Sequence, residues 1–199
     1  MTQELARLGH TSTFAAVDVH YLGAAGARAA LLTATDPRFA VVTDSRTKLV
    51  PDPGPYRSGE FYLRELPPLR AVLQDMGPLE LIVVDGYVDL DPAGRPGLGA
   101  FVHHEFGAPV IGVAKSRFLT ATHAAQVLRG ASARPLYVTA AGLPVADAAA
   151  LVSEMAGPFR IPDALRRADR LARGTDLPHS EPTTTRCRNM GACQPYGIL

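Results

Sequence analysis

Three acidic side chains stand where folding chains rarely place charge. Asp18 interrupts the apolar run Phe14-Ala-Ala-Val-Asp18-Val, Glu65 sits just before a pair of prolines, and Asp85 closes the apolar run Leu79-Glu-Leu-Ile-Val-Val-Asp85. Carboxylates in such surroundings are costly unless they are paired, hydrogen-bonded or metal-bound. Gathered from separate elements, they form a hard-oxygen donor set of the kind Mg²⁺ or Mn²⁺ takes while keeping waters for a substrate phosphate. Phosphodiester hydrolysis is a natural use of such a site: the ion activates water and offsets charge on the pentavalent transition state, alone or as one of a two-ion clamp. Lys115, directly after the apolar run 109–114, would add a point charge for the phosphate. Each residue taken singly has a plainer explanation. A strand-end aspartate caps turns, Asp18 could pair with an arginine, and Lys115 could be a solvated lysine. The combination carries the reading.

The elements that must position these groups follow from periodicity. Residues 14–20, 27–35 and 40–48 are apolar or alternating runs separated by Gly-Ala and Asp-Pro turn signals, which predicts a three-strand meander. The proline-rich stretch Val50-Pro-Asp-Pro-Gly-Pro-Tyr56 is a stiff loop, because proline fixes φ and lacks an amide donor. Apolar positions from Phe61 to Met76 predict a helix pair broken at Pro67 and Pro68, with Glu65 at the end of the first helix. Residues 79–85 read as a strand covered on both faces. A glycine-rich loop, 86–97, leads to a helix through Phe106, and 109–114 is the next buried strand. Residues 135–139 read as a strand, 145–155 as a helix, and 161–173 as a last helix opened by Pro162. The order predicts an α/β fold: a mixed sheet, with the antiparallel meander followed by parallel strands, flanked by helices. Sites in such sheets gather beyond the carboxyl ends of the strands, where Asp85 and Lys115 fall.

Composition narrows the class. A chain of 199 residues, 47% hydrophobic and 20% charged, has the make-up of a single globular domain rather than of a disordered polymer. The catalytic domain is expected over residues 1–173, with 174–199, rich in Pro, Thr, Ser and Gly, expected to be a disordered tail. A net charge of +1 announces no global attraction to nucleic acid, so a nucleic-acid surface must be a local patch. Neither a signal peptide nor a run of about 20 apolar residues is visible, which sets the expectation of a cytoplasmic protein with no membrane partner. Cys187 and Cys193 fit neither a disulfide framework nor a four-ligand zinc site.

Five segments in order resemble those of the endonuclease V family: Phe14-Ala-Ala-Val-Asp18-Val, Pro55-Tyr-Arg-Ser-Gly59 running into Leu63-Arg-Glu65, Val83-Val-Asp85-Gly86, Ile111-Gly-Val-Ala-Lys115-Ser116-Arg117, and Arg160-Ile-Pro162 through Asp169. The likeness spans residues 13–173, and its sharpest part is Gly-Val-Ala-Lys-Ser-Arg after a buried strand. It implies a ribonuclease H-like fold and Mg²⁺-dependent cleavage, with Mn²⁺ able to substitute. The cut would fall one phosphodiester beyond a deaminated base, typically inosine, on its 3′ side. DNA repair is the implied role, with some members acting on RNA. By position the resemblance makes Asp18, Glu65 and Asp85 the catalytic and metal-holding acids and Asp169 the late helical member of the site. Lys115 would contact phosphate beside Ser116, Gly86 would line the substrate site, and Tyr56, in a motif closed by Gly59, would be the wedge that stacks beside the displaced base. An aromatic ring on a rigid loop recovers part of the few kcal/mol that displacing a base costs. A monomer is expected.

The departures cluster around the base pocket. The usual Tyr-Ile-Pro-Gly is Tyr56-Arg-Ser-Gly59, the usual histidine after the strand-end aspartate is replaced around Asp89 to Pro92, and the usual Ser-Gly-His turn is Thr139-Ala-Ala-Gly-Leu143. The chain is also shortened between Arg117 and Pro135. Two other readings stay open on the sequence: a ribonuclease H-like nuclease that reads strand structure, and a nucleic-acid binder that has lost turnover. His103 and His104 could approach the site, though a surface pair is the plainer case.

Overall fold

The computed structural model describes residues 12–52 and 62–176. The meander is present as β1 (Phe14–Tyr21), β2 (Ala27–Ala34) and β3 (Val42–Val50), followed by α1 (Tyr62–Leu73), β4 (Leu81–Asp85), α2 (Leu98–Phe106) and β5 (Val110–Ala114). Then come β6 (Ala125–Val127), β7 (Leu136–Ala141), α3 (Val145–Glu154) and α4 (Asp163–Arg173). The strands form one seven-stranded mixed sheet in the order β3-β2-β1-β4-β5-β7-β6. This is the expected ribonuclease H-like class. Among the described residues no helix is long and apolar enough to cross a membrane.

Side chains alternate between the faces of a strand, so each strand feeds two cores. Ala15, Val17, Ile82, Val84 and Val110 pack under α1 and α2, while Ala16, Val83, Ile111 and Val113 pack under α3 and α4. The same parity decides where the charged groups go. Asp18 shares a face with Ala16, Asp85 with Val83, and Lys115 would continue the face of Val113, which is the side covered by α4.

Three expectations need correction. Residues 61–76 do not form a broken helix pair: α1 runs unbroken through Pro67 and Pro68. Burial of Pro68, Leu69, Val72 and Leu73 against the sheet outweighs the amide bonds that the two prolines cannot donate. Glu65 therefore lies in the first turn of a helix, not at its end. The strand over 135–139 is not parallel: β7 runs antiparallel to β5, and β6, unanticipated, pairs antiparallel with β7. No helix intervenes between β5 and β7 to carry the chain back over a face, so it returns along the edge.

Candidate active site

Register brings the first two acids together. β1 and β4 are parallel with Val17 opposite Val84, so the next step along each strand is Asp18 beside Asp85 at a spacing of about 5 Å between strands. β4 and β5 are also parallel, with Asp85 opposite Val113, which puts Lys115 just past the neighbouring strand end. Glu65 arrives from α1 and shares with Asp18 and Asp85 a narrow crevice walled by Val17, Leu69, Val84 and Leu98.

The electrostatics show how closely these groups crowd. Burial, and then the neighbouring Asp85 charge, push the Asp18 carboxyl up to about 7, although it accepts the Val19 amide at 2.8 Å. Burial followed by Asp18 and Asp85 pushes Glu65 up to about 8. Asp85 is ion-paired to Lys115. Burial pulls the Lys115 ammonium down, but its bond to Asp85 and the charges of Asp85, Asp18 and Asp169 outweigh this and hold it above its ordinary value. Asp169, on α4, pairs with Arg173 at 2.9 Å and shares a groove with Lys115, so the structure brings it to the margin of the same site. Among the described residues no group of three His, Cys, Asp or Glu side chains forms a ready coordination cluster.

Gly86, immediately after Asp85, takes φ +148°, a conformation that side chains disfavour. From there the loop folds back over β5, which only Gly112 permits: a Cβ at that position would stand 2.7 Å from the Gly86 carbonyl oxygen and 2.8 Å from the Val88 nitrogen. Thr139 Oγ1 secures the fold-back by accepting the Val88 amide at 2.8 Å. The resulting cavity, about 210 Å³, opens beside Glu65 and Asp85 and is walled by Tyr62, Gly86, Tyr87, Leu90 and Leu98. Tyr62 is held by stacking on Phe101, with ring centroids 3.7 Å apart. The N-terminus of α2 borders the cavity, and its N-cap, Gly97, supplies no side-chain cap.

This acid-and-lysine edge, on this fold, agrees with two matches in sequence: the endonuclease V family profile covers residues 2–170, and endonuclease V of Alkalilimnicola ehrlichii is 31% identical over 173 residues, 76% of this chain and 75% of that one. The chain belongs to the endonuclease V family. It is accordingly an endonuclease, a hydrolase of phosphodiester bonds. Among solved endonuclease V structures, that of Streptomyces avermitilis is similar at a TM-score of 0.68 with 27% identity, covering 83% of this chain and 81% of that one. The Ciona intestinalis endonuclease V D234N variant, solved with a DNA containing an inosine followed by a ribo-adenosine, matches at 0.66 with 19% identity, covering 82% and 85%. That likeness bears on the fold.

Of the residues singled out in the sequence, Asp18, Glu65, Asp85, Gly86 and Lys115 converge, Asp169 flanks them, and Ser116 is exposed on the adjoining loop. Tyr56 and Gly59 lie outside the described residues, as do Cys187 and Cys193. His103 bonds the Ala108 carbonyl at 2.7 Å at the far end of α2, and His104 is exposed beside it, so neither approaches the acids. Sequence reasoning missed Tyr62, Tyr87 and Leu98 as cavity walls. It also missed Arg160, whose guanidinium donates to the carbonyls of Lys115, Pro135 and Arg134 and so pins the backbone at Lys115. The glycines at 86 and 97 hinted at the cavity; nothing local marked Arg160 as a tie between distant loops.

Proposed function

We propose that this chain cuts a nucleic-acid strand one phosphodiester beyond a deaminated base, on its 3′ side, with the scissile phosphate at the edge made by Asp18, Glu65, Asp85 and Lys115. The observation that carries this is the pairing of that edge with an apolar-walled cavity that opens beside Glu65 and Asp85. Deamination of adenine replaces an amino donor by a carbonyl acceptor. The Gly97 and Gly99 amides at the start of α2 are bonded to the Val88 and Tyr87 carbonyls, so what favours the added acceptor is the positive end of the α2 dipole that borders the cavity. The ring of Tyr62 and the apolar walls at Leu90 and Leu98 hold the heterocycle away from water.

Asp18, Glu65 and Asp85 suit Mg²⁺ or Mn²⁺ in donor chemistry: three carboxylates from three elements, with Asp18 and Glu65 raised by burial and then by their acidic neighbours, are an oxygen set short of cation. Such an ion, when bound, supplies Lewis-acid stabilisation of charge building on the phosphate. Lys115 is placed to exchange its bond with Asp85 for one to a phosphate oxygen, and Asp169 biases the same margin electrostatically. Gly86 keeps the entry from the edge to the cavity clear, and Ser116 offers a hydroxyl beside Lys115. In this reading Tyr56 is the wedge that stacks beside the displaced base, and Gly59 is a further substrate-binding position. Repair of DNA is the cellular role proposed.

The test is cleavage with Mg²⁺ of duplex and single-stranded probes carrying inosine, uracil, a mismatch or a flap. Preferred cutting of inosine probes at the second phosphodiester on the 3′ side is expected. Preference for mismatched or flapped probes without inosine would move the reading to a structure-specific nuclease, and binding without cutting would reduce the chain to a binder.

A further inference from the structure

A second recess lies past the other end of the Asp85–Lys115 ion pair. It has a volume of about 380 Å³ and is lined by the loop Lys115-Ser116-Arg117, by Arg134, Pro135 and Tyr137 leading into β7, and by Arg160. Four cations face it and no carboxylate lines it. Elsewhere on this nearly neutral molecule several exposed arginines are matched by carboxylates: Arg38 with Glu154, Arg46 with Asp44, Arg70 with Glu105, Arg173 with Asp169. Here Arg160 is satisfied by backbone carbonyls, which hold its charge in place without neutralising it. The exposed guanidiniums of Arg117 and Arg134 make no hydrogen bond or carboxylate ion pair among the described residues.

Unneutralised, fixed positive charge around an open recess is the electrostatic footprint of a polyanion backbone. We infer that this cleft is a strand-exit track: it holds the sugar-phosphate backbone on the far side of the scissile phosphate from the cavity, with Arg117 and Arg134 contacting successive phosphates. The cavity opens at Asp85 and the cleft at Lys115, so a strand whose base occupies the cavity must cross the ion pair to reach the cleft. This rests on the reading above for its polarity, which makes the tracked segment the 3′ one. Contacts of this kind carry no sequence information; they set register and affinity. Arg160 serves as a positioning residue, keeping the Lys115 loop and the Arg134 loop the right distance apart.

The experiment is fluorescence anisotropy of the full chain, with Ca²⁺ replacing Mg²⁺ to slow cutting, on three single-stranded inosine probes. One extends well past inosine on both sides, one stops just past the scissile phosphate on the 3′ side, and one stops just before inosine on the 5′ side. The Arg117→Ala, Arg134→Ala double variant should bind the long and 5′-short probes about tenfold or more weaker, and the slope of log K against log salt should fall by about two. The 3′-short probe should bind wild type and variant alike. Arg134→Glu, a single change at an exposed position, repeats the test with the opposite charge, and the double lysine variant should keep the slope. Equal losses on all three probes, a loss confined to the 3′-short probe, or an unchanged salt slope would overturn the track. Wild-type cleavage of inosine against unmodified probes is read in parallel. If inosine confers no preference, the functional reading falls, while the salt slope on unmodified single strands still decides whether the cleft holds backbone.

Discussion

Two regions of the molecule take charge out of water and treat it in opposite ways. Beneath the α3–α4 connection, Arg129 is 6% exposed, and its guanidinium donates to the carbonyls of Ser153, Met155, Gly157, Phe159 and Arg160. Burial lowers its affinity for the proton, yet every contact is a carbonyl dipole turned toward the cation. At the carboxyl edge of β1 and β4, Asp18 has one amide and Glu65 faces two other acids. The first arrangement closes a structural account, tying the end of α3 to the lead-in of α4. The second sets a single lysine against three carboxylates, which is the mark of a site kept for a ligand rather than for stability.

The comparison breaks if the acids turn out to be structural. Asp85→Asn should therefore lose cleavage by about a thousandfold or more, several kcal/mol of transition-state stabilisation, while melting near the wild-type temperature in chelator, because relief of the repulsion on Asp18 and Glu65 offsets the lost ion pair with Lys115. Retained cleavage with a lowered melting point would place Asp85 with Arg129 among the structural charges. The mirror-image substitution, Arg129→Met, should cost about 3–5 kcal/mol in urea unfolding with the m-value unchanged, since the carbonyls it served lose their donor. Cleavage per folded molecule should stay near wild type. A small stability loss with abolished cleavage would reverse the two roles.

A pH titration sharpens the contrast further. The carboxyls of Asp18 and Glu65 stand at about 7 and about 8, above their ordinary 3.8 and 4.5. The folded chain thus binds more protons than the unfolded one in that window, and metal-free stability should decline as pH rises from about 4 to about 8. Melting in chelator across this range should show the decline, and Asp18→Asn with Glu65→Gln should flatten it. A wild-type slope shared by the double variant would discard the account. Added Mg²⁺ should raise the melting temperature more at the alkaline end, where protons no longer compete for the carboxylates. The smallest effect is expected from removing residues 177–199, which lack the apolar periodicity to dock on the domain. Melting and cleavage should be unchanged, and a loss of either would require a role for that segment.

Much of the fold was legible because its signals are local. The strand over β4 showed as an apolar run ending in Asp85, α4 as a helix opened after Pro162 and closed at Gly174, and the meander as alternating runs between turns. Asp18 and Asp85 stood out for the same reason, each a charge set against an apolar strand. Glu65 was found but misplaced, because proline's local preference for ending helices was overridden by burial of Pro68 and Leu69. The direction of β7 was misjudged because strand polarity depends on how the chain returns, which no residue in β7 encodes.

By itself, then, the sequence determined most of the elements, the family, and which acids and which lysine stand within or just past apolar strands, since periodicity, turn chemistry and charge in apolar runs are properties of neighbouring residues. Tertiary structure alone decided what those residues meet. The register of β1 on β4 set Asp18 beside Asp85, the space over Gly112 let the loop after Asp85 fold back into a cavity, and hydrogen bonds spanning more than twenty residues gave Arg129 and Arg160 their roles. Distances of this kind are settled by packing two cores against one sheet, and that is a property of the whole chain at once.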